Sequence, residues 1–198
     1  RADLLKQMGN GIAIIRSSEK RSIEEDYPQD SDYRENNDFF YLTGLETPES
    51  WLVLIARDTL APQVYLYLPA RDTMAERWTG MRLGPGAEAS ALTGIEETRA
   101  ADLAQKQIRG FVRGRTTQGG KLYLLLGKQA ASDTFFQQLA LGSGAGVTDL
   151  RPMLAAMRLV KDADEMRRMR MAAEISAKGH VAAMRVAHPG AWEYELEG

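Results

Sequence analysis

The chain has 198 residues, of which 44% are hydrophobic and 26% charged, with no cysteine and a formal net charge of −2. This composition predicts a globular domain of common size plus part of a second, and it excludes disulfides and thiolate metal sites. The small net charge argues against nucleic acid as a partner, and no apolar run approaches the roughly 20 residues that cross a bilayer, so we expect no membrane partner and a cytoplasmic protein.

The first elements of the chain are predicted to be a short helix and a buried strand. Leu4, Leu5 and Met8 have helical spacing, and the glycines of Gly9–Gly11 end the helix. The apolar run Ile12–Ile15 follows and is typical of a strand that lies inside a sheet.

A long polar and acidic stretch, residues 17–38, contains Pro28 and shows no periodicity, which predicts a loop. Carboxylates in such a loop can bind calcium or manganese. Their spacing fits no EF-hand, however, and no glycine stands at the turn position. We therefore interpret the acidic cluster as a solvated loop surface. Its members are Glu24, Glu25, Asp26, Asp30, Asp32, Glu35 and Asp38.

The middle of the chain alternates between strands and helices. Residues 51–56 and 64–68 are apolar runs joined by a short connection, as in a hairpin. A helix is predicted over residues 99–112, a strand over 121–126, and a second helix with Ser132 as its N-cap. This alternation predicts an α/β fold in which helices flank a mixed β-sheet.

The pattern changes near residue 160, where a long helix is predicted. Asp162 and Glu165 have the spacing of a capping box, and the helix should run to about Ala187. Small and apolar residues recur along it at intervals of three and four, and such a stripe requires a partner surface. The stripe consists of Met169, Ala172, Ile175, Gly179, Ala182 and Val186.

A further helix is predicted to start near Trp192, after Pro189 and Gly190 end the long one. It would be interrupted at Gly198. We therefore predict two parts, a domain over residues 1–155 and the beginning of a second over 156–198.

No self-sufficient catalytic set is recognisable in the sequence. The two histidines, His180 and His188, belong to no metal-binding His pair, and no Gly-x-Ser-x-Gly elbow is present. We interpret His180 as a packing or hydrogen-bonding residue and His188 as a residue at a helix C-terminus.

Trp78 lies among polar residues and not in an apolar run. Its ring is either a core plug or a flat contact surface for a substrate or a neighbouring subunit, since tryptophan and arginine are enriched at the energetic centres of interfaces. Arg82 is either a solvated surface residue or a partner for a carboxylate.

Three blocks together resemble the Xaa-Pro aminopeptidase (aminopeptidase P) family. They are Tyr33–Leu54, Trp78–Gly84, and a third that starts at Met157–Met166 and continues to Glu195. The resemblance implies a creatinase-like N-terminal domain up to about residue 155. The third block is similar to the linker and first helix of the pita-bread catalytic domain.

The resemblance also implies a function for a longer parent protein. That parent would be a manganese-dependent enzyme that removes the residue preceding proline, with two metal ions held by two aspartates, one histidine and two glutamates. None of these ligands maps onto this chain; all should lie beyond Gly198. We therefore expect the chain alone to be inactive and to bind no metal ion.

Members of this family commonly assemble as dimers or tetramers, so a homo-oligomer is expected. Trp78 looks like the family tryptophan that reaches the active site of an adjacent subunit. The resemblance thus implies that Trp78, with Arg82, helps to bind a peptide with proline at its second position.

Other functions stay open. Prolidase and creatinase share the architecture, although the Trp78–Gly84 block favours aminopeptidase P. The same fold also serves as a non-enzymatic peptide- or protein-binding module, and the chain could be an oligomerisation or scaffold domain. Residues 128–150 match the family only loosely.

Overall fold

The computed structural model describes residues 1–19, 33–126 and 131–197. These residues belong to two compact units, residues 1–155 and residues 156–198. Within the described ranges, no helix combines the length and the apolar character needed to span a membrane.

The first unit is built on one six-stranded sheet with the order β4-β3-β2-β1-β5-β6. The central pairs β1–β2 and β2–β3 are antiparallel, whereas the outer pairs β3–β4, β1–β5 and β5–β6 are parallel. The predicted mixed sheet flanked by helices is therefore confirmed. The strands are β1 (Gly11–Arg16), β2 (Trp51–Ala56), β3 (Gln63–Leu68), β4 (Glu97–Ala100), β5 (Lys121–Leu124) and β6 (Val147–Asp149).

One helix precedes the first strand, others lie between the strands, and the last three follow β6. They are α1 (Ala2–Met8), α2 (Asn37–Thr43), α3 (Glu76–Thr79), α4 (Ala87–Thr93), α5 (Ala104–Thr116), α6 (Ala131–Gly142), α7 (Arg151–Leu159), α8 (Ala163–Val186) and α9 (Glu193–Glu197), with a 3-10 turn at Ala101–Leu103.

The sheet is covered on both faces, which explains why the predicted strands are continuous apolar runs. Every residue of β2 is buried. On one face, Ile12 and Ile14 of β1 join a core cluster with Ile108 of α5 and Phe136 of α6. The alternate residues of β1 are equally buried on the opposite face, where α1 adjoins β2 and α2 adjoins β1.

The helix predicted over residues 99–112 is wrong at its start. Arg99 lies in β4, and the helix begins at Ala104 after a 3-10 turn. The strand escaped prediction because it is a short edge strand whose residues are polar or only partly buried, so it has no apolar run.

The predicted loop over residues 17–38 ends earlier than expected, because α2 starts at Asn37. The side chain of Asn36 caps this helix by accepting a hydrogen bond from the Asp38 backbone N–H at 2.9 Å. Residues 20–32 lie outside the described part. The helix predicted with Ser132 as its N-cap begins at Ala131, so Ser132 lies in its first turn.

The second unit consists mainly of α8. Asp162 and Glu165 form the predicted capping box, in which each side chain accepts the other residue's backbone N–H at 2.8 and 2.9 Å. The helix ends at Val186, close to the predicted position, and α9 follows. No residue of α8 is buried. The large apolar residues that it exposes are Met166, Met169, Met171, Ile175, Val181, Met184 and Val186.

Candidate functional site

The loop of residues 71–86 leaves the C-terminal side of β3 and carries both predicted site residues, Trp78 and Arg82. Three large apolar side chains project from it: Met74, Trp78 and Met81 are 64%, 78% and 84% exposed. We call these three residues the apolar tip. A tryptophan exposed to this extent cannot be a core plug, so that interpretation of Trp78 is wrong for this chain.

The loop folds locally around Asp72. Its Oδ1 accepts hydrogen bonds from the backbone N–H groups of Met74 and Ala75 at 2.9 and 3.1 Å, and its carbonyl accepts from the Glu76 N–H at 2.9 Å. These contacts start the single turn α3 in the way that an N-cap aspartate starts a longer helix. Trp78 stands on that turn.

The turn ends at Gly80, whose backbone has φ 77° and ψ 170°. This conformation is essentially restricted to glycine, because an L side chain at this φ and ψ is strained against its own adjoining peptide groups. Gly80 therefore explains part of the Trp78–Gly84 block: the turn that carries Trp78 ends in a conformation that needs glycine.

An ion pair closes the base of the loop. Arg71 donates from Nε and Nη2 to the two carboxylate oxygens of Glu76, at 2.9 and 2.7 Å. These hydrogen bonds hold the pKa of Glu76 below its usual value and raise the pKa of Arg71. The backbone N–H of Arg82 also points to Glu76 Oε1, at 3.4 Å.

Arg82 is therefore tied to the loop through its main chain, and its side chain is exposed. The loop brings Trp78 and Arg82 onto one short segment, with an indole face and a guanidinium open to solvent. Such a pair can contact an apolar ring and a carboxylate or carbonyl group. It has no nucleophile or general base of its own.

A second polar centre, at Glu35, was misinterpreted from the sequence as part of a solvated acidic surface. Glu35 is only 6% exposed. Its Oε1 accepts from the backbone N–H groups of Ser18 and Asn36 at 2.7 and 2.6 Å. Its Oε2 accepts from the hydroxyl of Tyr33 at 2.8 Å and the N–H of Thr47 at 3.2 Å. Burial nevertheless raises the pKa of Glu35, although each of these hydrogen bonds favours the ionised form.

Glu35 therefore has a structural role in the Tyr33–Leu54 block: it joins the end of β1, the start of α2 and the segment before β2. The only sequence feature that could have separated Glu35 from the other acidic residues is its position close to two of its hydrogen-bond donors, Tyr33 and Asn36. Of those, Glu24, Glu25, Asp26, Asp30 and Asp32 fall outside the described residues.

The histidines do not form part of a site in the described part of the chain. Both are exposed, and His188 lies just beyond the end of α8, with its Nδ1 3.1 Å from the Pro189 carbonyl oxygen. His180 was predicted to pack or to form a hydrogen bond; its exposure makes the packing role wrong within this chain, and the hydrogen-bonding role stays a prediction. Over residues 1–19, 33–126 and 131–197, no group of three His, Cys, Asp or Glu residues is placed to hold a metal ion.

Comparison with known proteins agrees with this architecture. Residues 1–119 match the family model described as the N-terminal domain of aminopeptidase P. An Xaa-Pro aminopeptidase of Escherichia coli K12 is 35% identical over 211 residues, which cover 100% of this chain and 46% of that protein. An Xaa-Pro aminopeptidase of Haemophilus influenzae is 30% identical over 200 residues, with 100% and 44% covered.

Solved structures show the same likeness. Zn-substituted E. coli aminopeptidase P in complex with product matches with a TM-score of 0.80 at 33% identity, and proline aminopeptidase P II from Yersinia pestis with a TM-score of 0.79 at 33% identity. Each match covers 100% of this chain and 46% of the other. The chain thus spans a little under half the length of the relatives that it matches.

Proposed function

The chain belongs to the aminopeptidase P family, and from that membership we propose that it is the non-catalytic N-terminal part of a metal-dependent Xaa-Pro aminopeptidase. The longer protein would remove the first residue from peptides that have proline at the second position. The observation that carries this proposal is the match of residues 1–119 to the N-terminal domain of the family. The two relatives named above are both Xaa-Pro aminopeptidases that match over 100% of this chain, and their names support the reaction.

The metal centre of this enzyme would lie in the other half of the longer protein. The described residues do not fit a metal pair, since no three ligating side chains lie together among them. A relative solved in Zn-substituted form supports metal dependence, and we propose two manganese ions, as the resemblance implies.

Residues 156–198 would begin the catalytic domain. The exposed apolar side chains of α8 support this assignment, because a helix face of this kind is stable in water only when other parts of a protein cover it. The cytoplasmic location of the longer protein also stays a prediction.

The proposed contribution of this chain to the reaction is substrate access through the loop of residues 71–86. Trp78 offers a flat apolar wall that fits a proline ring, and Arg82 lies on the same segment. We propose that in a homo-oligomer this loop reaches the active site of a neighbouring subunit. The exposure of the apolar tip supports this role, since three large apolar residues on one loop are typical of a contact surface.

The proposal is tested by a peptidase assay of this chain and the full-length protein, each with added Mn²⁺, on a peptide with proline at the second position and a matched peptide with alanine there. We expect turnover only by the full-length protein and only of the proline peptide. Binding of the peptide by the full-length protein without turnover would instead indicate a non-enzymatic binding module. Turnover by this chain alone would contradict the proposal.

The role in trans is tested by mixing two full-length variants, one with Trp78→Ala and one that retains Trp78 but has a disabled metal site. If Trp78 acts in a neighbouring subunit, re-assembled mixtures should recover part of the lost affinity for substrate. If no mixture differs from the Trp78→Ala protein alone, Trp78 does not act across subunits.

A further inference from the structure

One carboxylate in the loop of residues 71–86 is covered although the loop itself is open to solvent. The side chain of Glu76 is only 8% exposed, although it stands between Met74 and Trp78 of the apolar tip, which are 64% and 78% exposed. Charged side chains on open loops usually extend into water. A covered carboxylate at this position therefore calls for a reason.

The geometry supplies one. The planar guanidinium of Arg71 holds both oxygens of Glu76 in a two-point contact, which fixes orientation as well as distance. Glu76 Oε1 also faces the backbone N–H of Arg82 at 3.4 Å. One carboxylate thus links the residue that enters the loop, Arg71, with the residue that follows its tip, Arg82. We call this contact set the clasp.

The stem of Arg71 is itself held in place. A Cβ at Gly84 would lie 2.9 Å from Arg71 Cγ, so the return segment of the loop runs directly against this side chain. Two residues later, the Gly86 N–H donates to Thr98 Oγ1 of β4 at 2.9 Å. The clasp therefore packs against a return segment that is itself hydrogen-bonded to the sheet.

We propose that Glu76 is a positioning residue: through the clasp it orders the turn that carries Trp78, so that the indole is held ready for substrate. This inference rests on the proposed substrate role of Trp78. A contact side chain that is already ordered loses less conformational entropy on binding than one on a free loop, and the difference appears as affinity. The clasp itself is close to the surface, where an ion pair adds little to global stability.

A positioning role should therefore change the affinity for substrate with little change in global stability, which separates it from a merely structural role. Glu76→Ala in the full-length protein should raise KM about five- to tenfold, the loss expected when a loop side chain must be ordered on binding, while kcat and the unfolding midpoint stay close to wild type. Backbone amides of residues 77–82 should exchange with solvent faster. Glu76→Gln, which keeps one acceptor for Arg71, should give a smaller change in both KM and amide exchange. Glu96→Gln, at an exposed glutamate on the approach to β4, is the matched control and should change neither.

The double variant Glu76→Ala/Trp78→Ala shows whether Glu76 acts through Trp78. We expect its KM to equal that of Trp78→Ala alone. Once the indole is absent, the order of the loop no longer affects the affinity for substrate, so the second substitution adds no further loss. Additive losses, or unchanged amide exchange in Glu76→Ala, would overturn the proposal. If Trp78→Ala leaves KM unchanged, the substrate role of Trp78 fails, and the exchange rates still decide whether the clasp orders the loop.

Discussion

Glu35 Oε1 accepts a hydrogen bond from the backbone N–H of Ser18 at 2.7 Å, across 17 positions of sequence. The same carboxylate contacts Asn36, Tyr33 and Thr47, so a single side chain fastens three segments beside the central strands. The polar residues at the start of the Tyr33–Leu54 block thus shape the backbone around the sheet.

Replacement of Glu35 should destabilise the fold. In Glu35→Gln, an NH₂ group replaces one acceptor oxygen and faces donors, which should lower the free energy of unfolding by about 1–3 kcal/mol. The variant Glu35→Ala should lose more. The measurement is denaturant unfolding. Glu46→Gln, at an exposed carboxylate nearby, should stay within about 0.5 kcal/mol of wild type; a loss at Glu35 no larger than at Glu46 would contradict this role.

The stabilising contribution of Glu35 should also depend on pH. Burial raises the pKa of this carboxyl above its ordinary value of 4.5, so the folded chain binds the proton more tightly than the unfolded chain does. The contribution is therefore full below pH 4.5 and declines as pH rises through the folded pKa. When Glu35 is protonated, its new O–H can donate to the Tyr33 hydroxyl. Tyr33 can then donate its own proton to the Ser18 carbonyl oxygen, which lies 3.3 Å away.

The measurement is the difference in unfolding free energy between wild type and Glu35→Gln across this pH range. We expect the difference to shrink as pH rises from 4.5. A difference that grows instead would mean that the four donated hydrogen bonds outweigh burial and lower the pKa.

Two glycine substitutions should act in opposite directions. At Gly11 in β1, a Cβ would lie 2.6 Å from the Lys121 carbonyl oxygen and 2.7 Å from Tyr123 Cε2. Gly11→Ala should therefore push β1 from β5 and cost about 1–3 kcal/mol. At Gly110 in α5 a Cβ meets nothing within 4 Å, and Gly110→Ala should stabilise by about 0.5–1 kcal/mol. Thermal unfolding of both variants checks the pair, and equal shifts of the same sign would refute it.

A buried hydroxyl makes Gln107 important for stability. Gln107 Oε1 accepts from the Tyr67 hydroxyl at 2.8 Å and from Arg99 Nη1 at 2.7 Å, and Tyr67 is fully buried. Gln107→Leu should leave that hydroxyl without its acceptor and cost about 1–3 kcal/mol. Gln105→Leu, two positions earlier at an exposed site of α5, is the control in the same unfolding experiment. A Gln107 variant as stable as its control would show that Tyr67 does not need this partner.

Strands with apolar runs could be predicted from the sequence, and those without could not. β1, β2, β3 and β5 are covered on both faces or nearly so. Because strands buried on both faces need apolar residues at nearly every position, they stand out in the sequence as continuous apolar runs. The edge strand β4 has no such requirement, since Thr98 and Arg99 make polar contacts at the margin of the sheet. The sequence therefore carries no strand signal for β4, and its last two residues fall within the helix predicted over residues 99–112.

The candidate site was predictable in part for a similar reason. A tryptophan among polar residues is unusual enough to single out Trp78, but whether it is buried or exposed depends on tertiary contacts. The clasp joins Arg71 to a glutamate five residues away, a spacing that no helix or strand pattern marks. Glu35 was hidden because local sequence cannot tell a carboxylate that accepts four hydrogen bonds from one that faces water.

The substrate role of the loop is tested most directly by the kinetics of full-length Trp78→Ala on an Xaa-Pro peptide, beside Leu60→Ala, which removes an exposed apolar residue between β2 and β3. We predict that KM rises about tenfold in Trp78→Ala, since loss of an aromatic contact at the centre of an interface costs on the order of 1–2 kcal/mol, and that Leu60→Ala matches wild type. Equal KM values for wild type and Trp78→Ala, with assembly unchanged, would contradict the account.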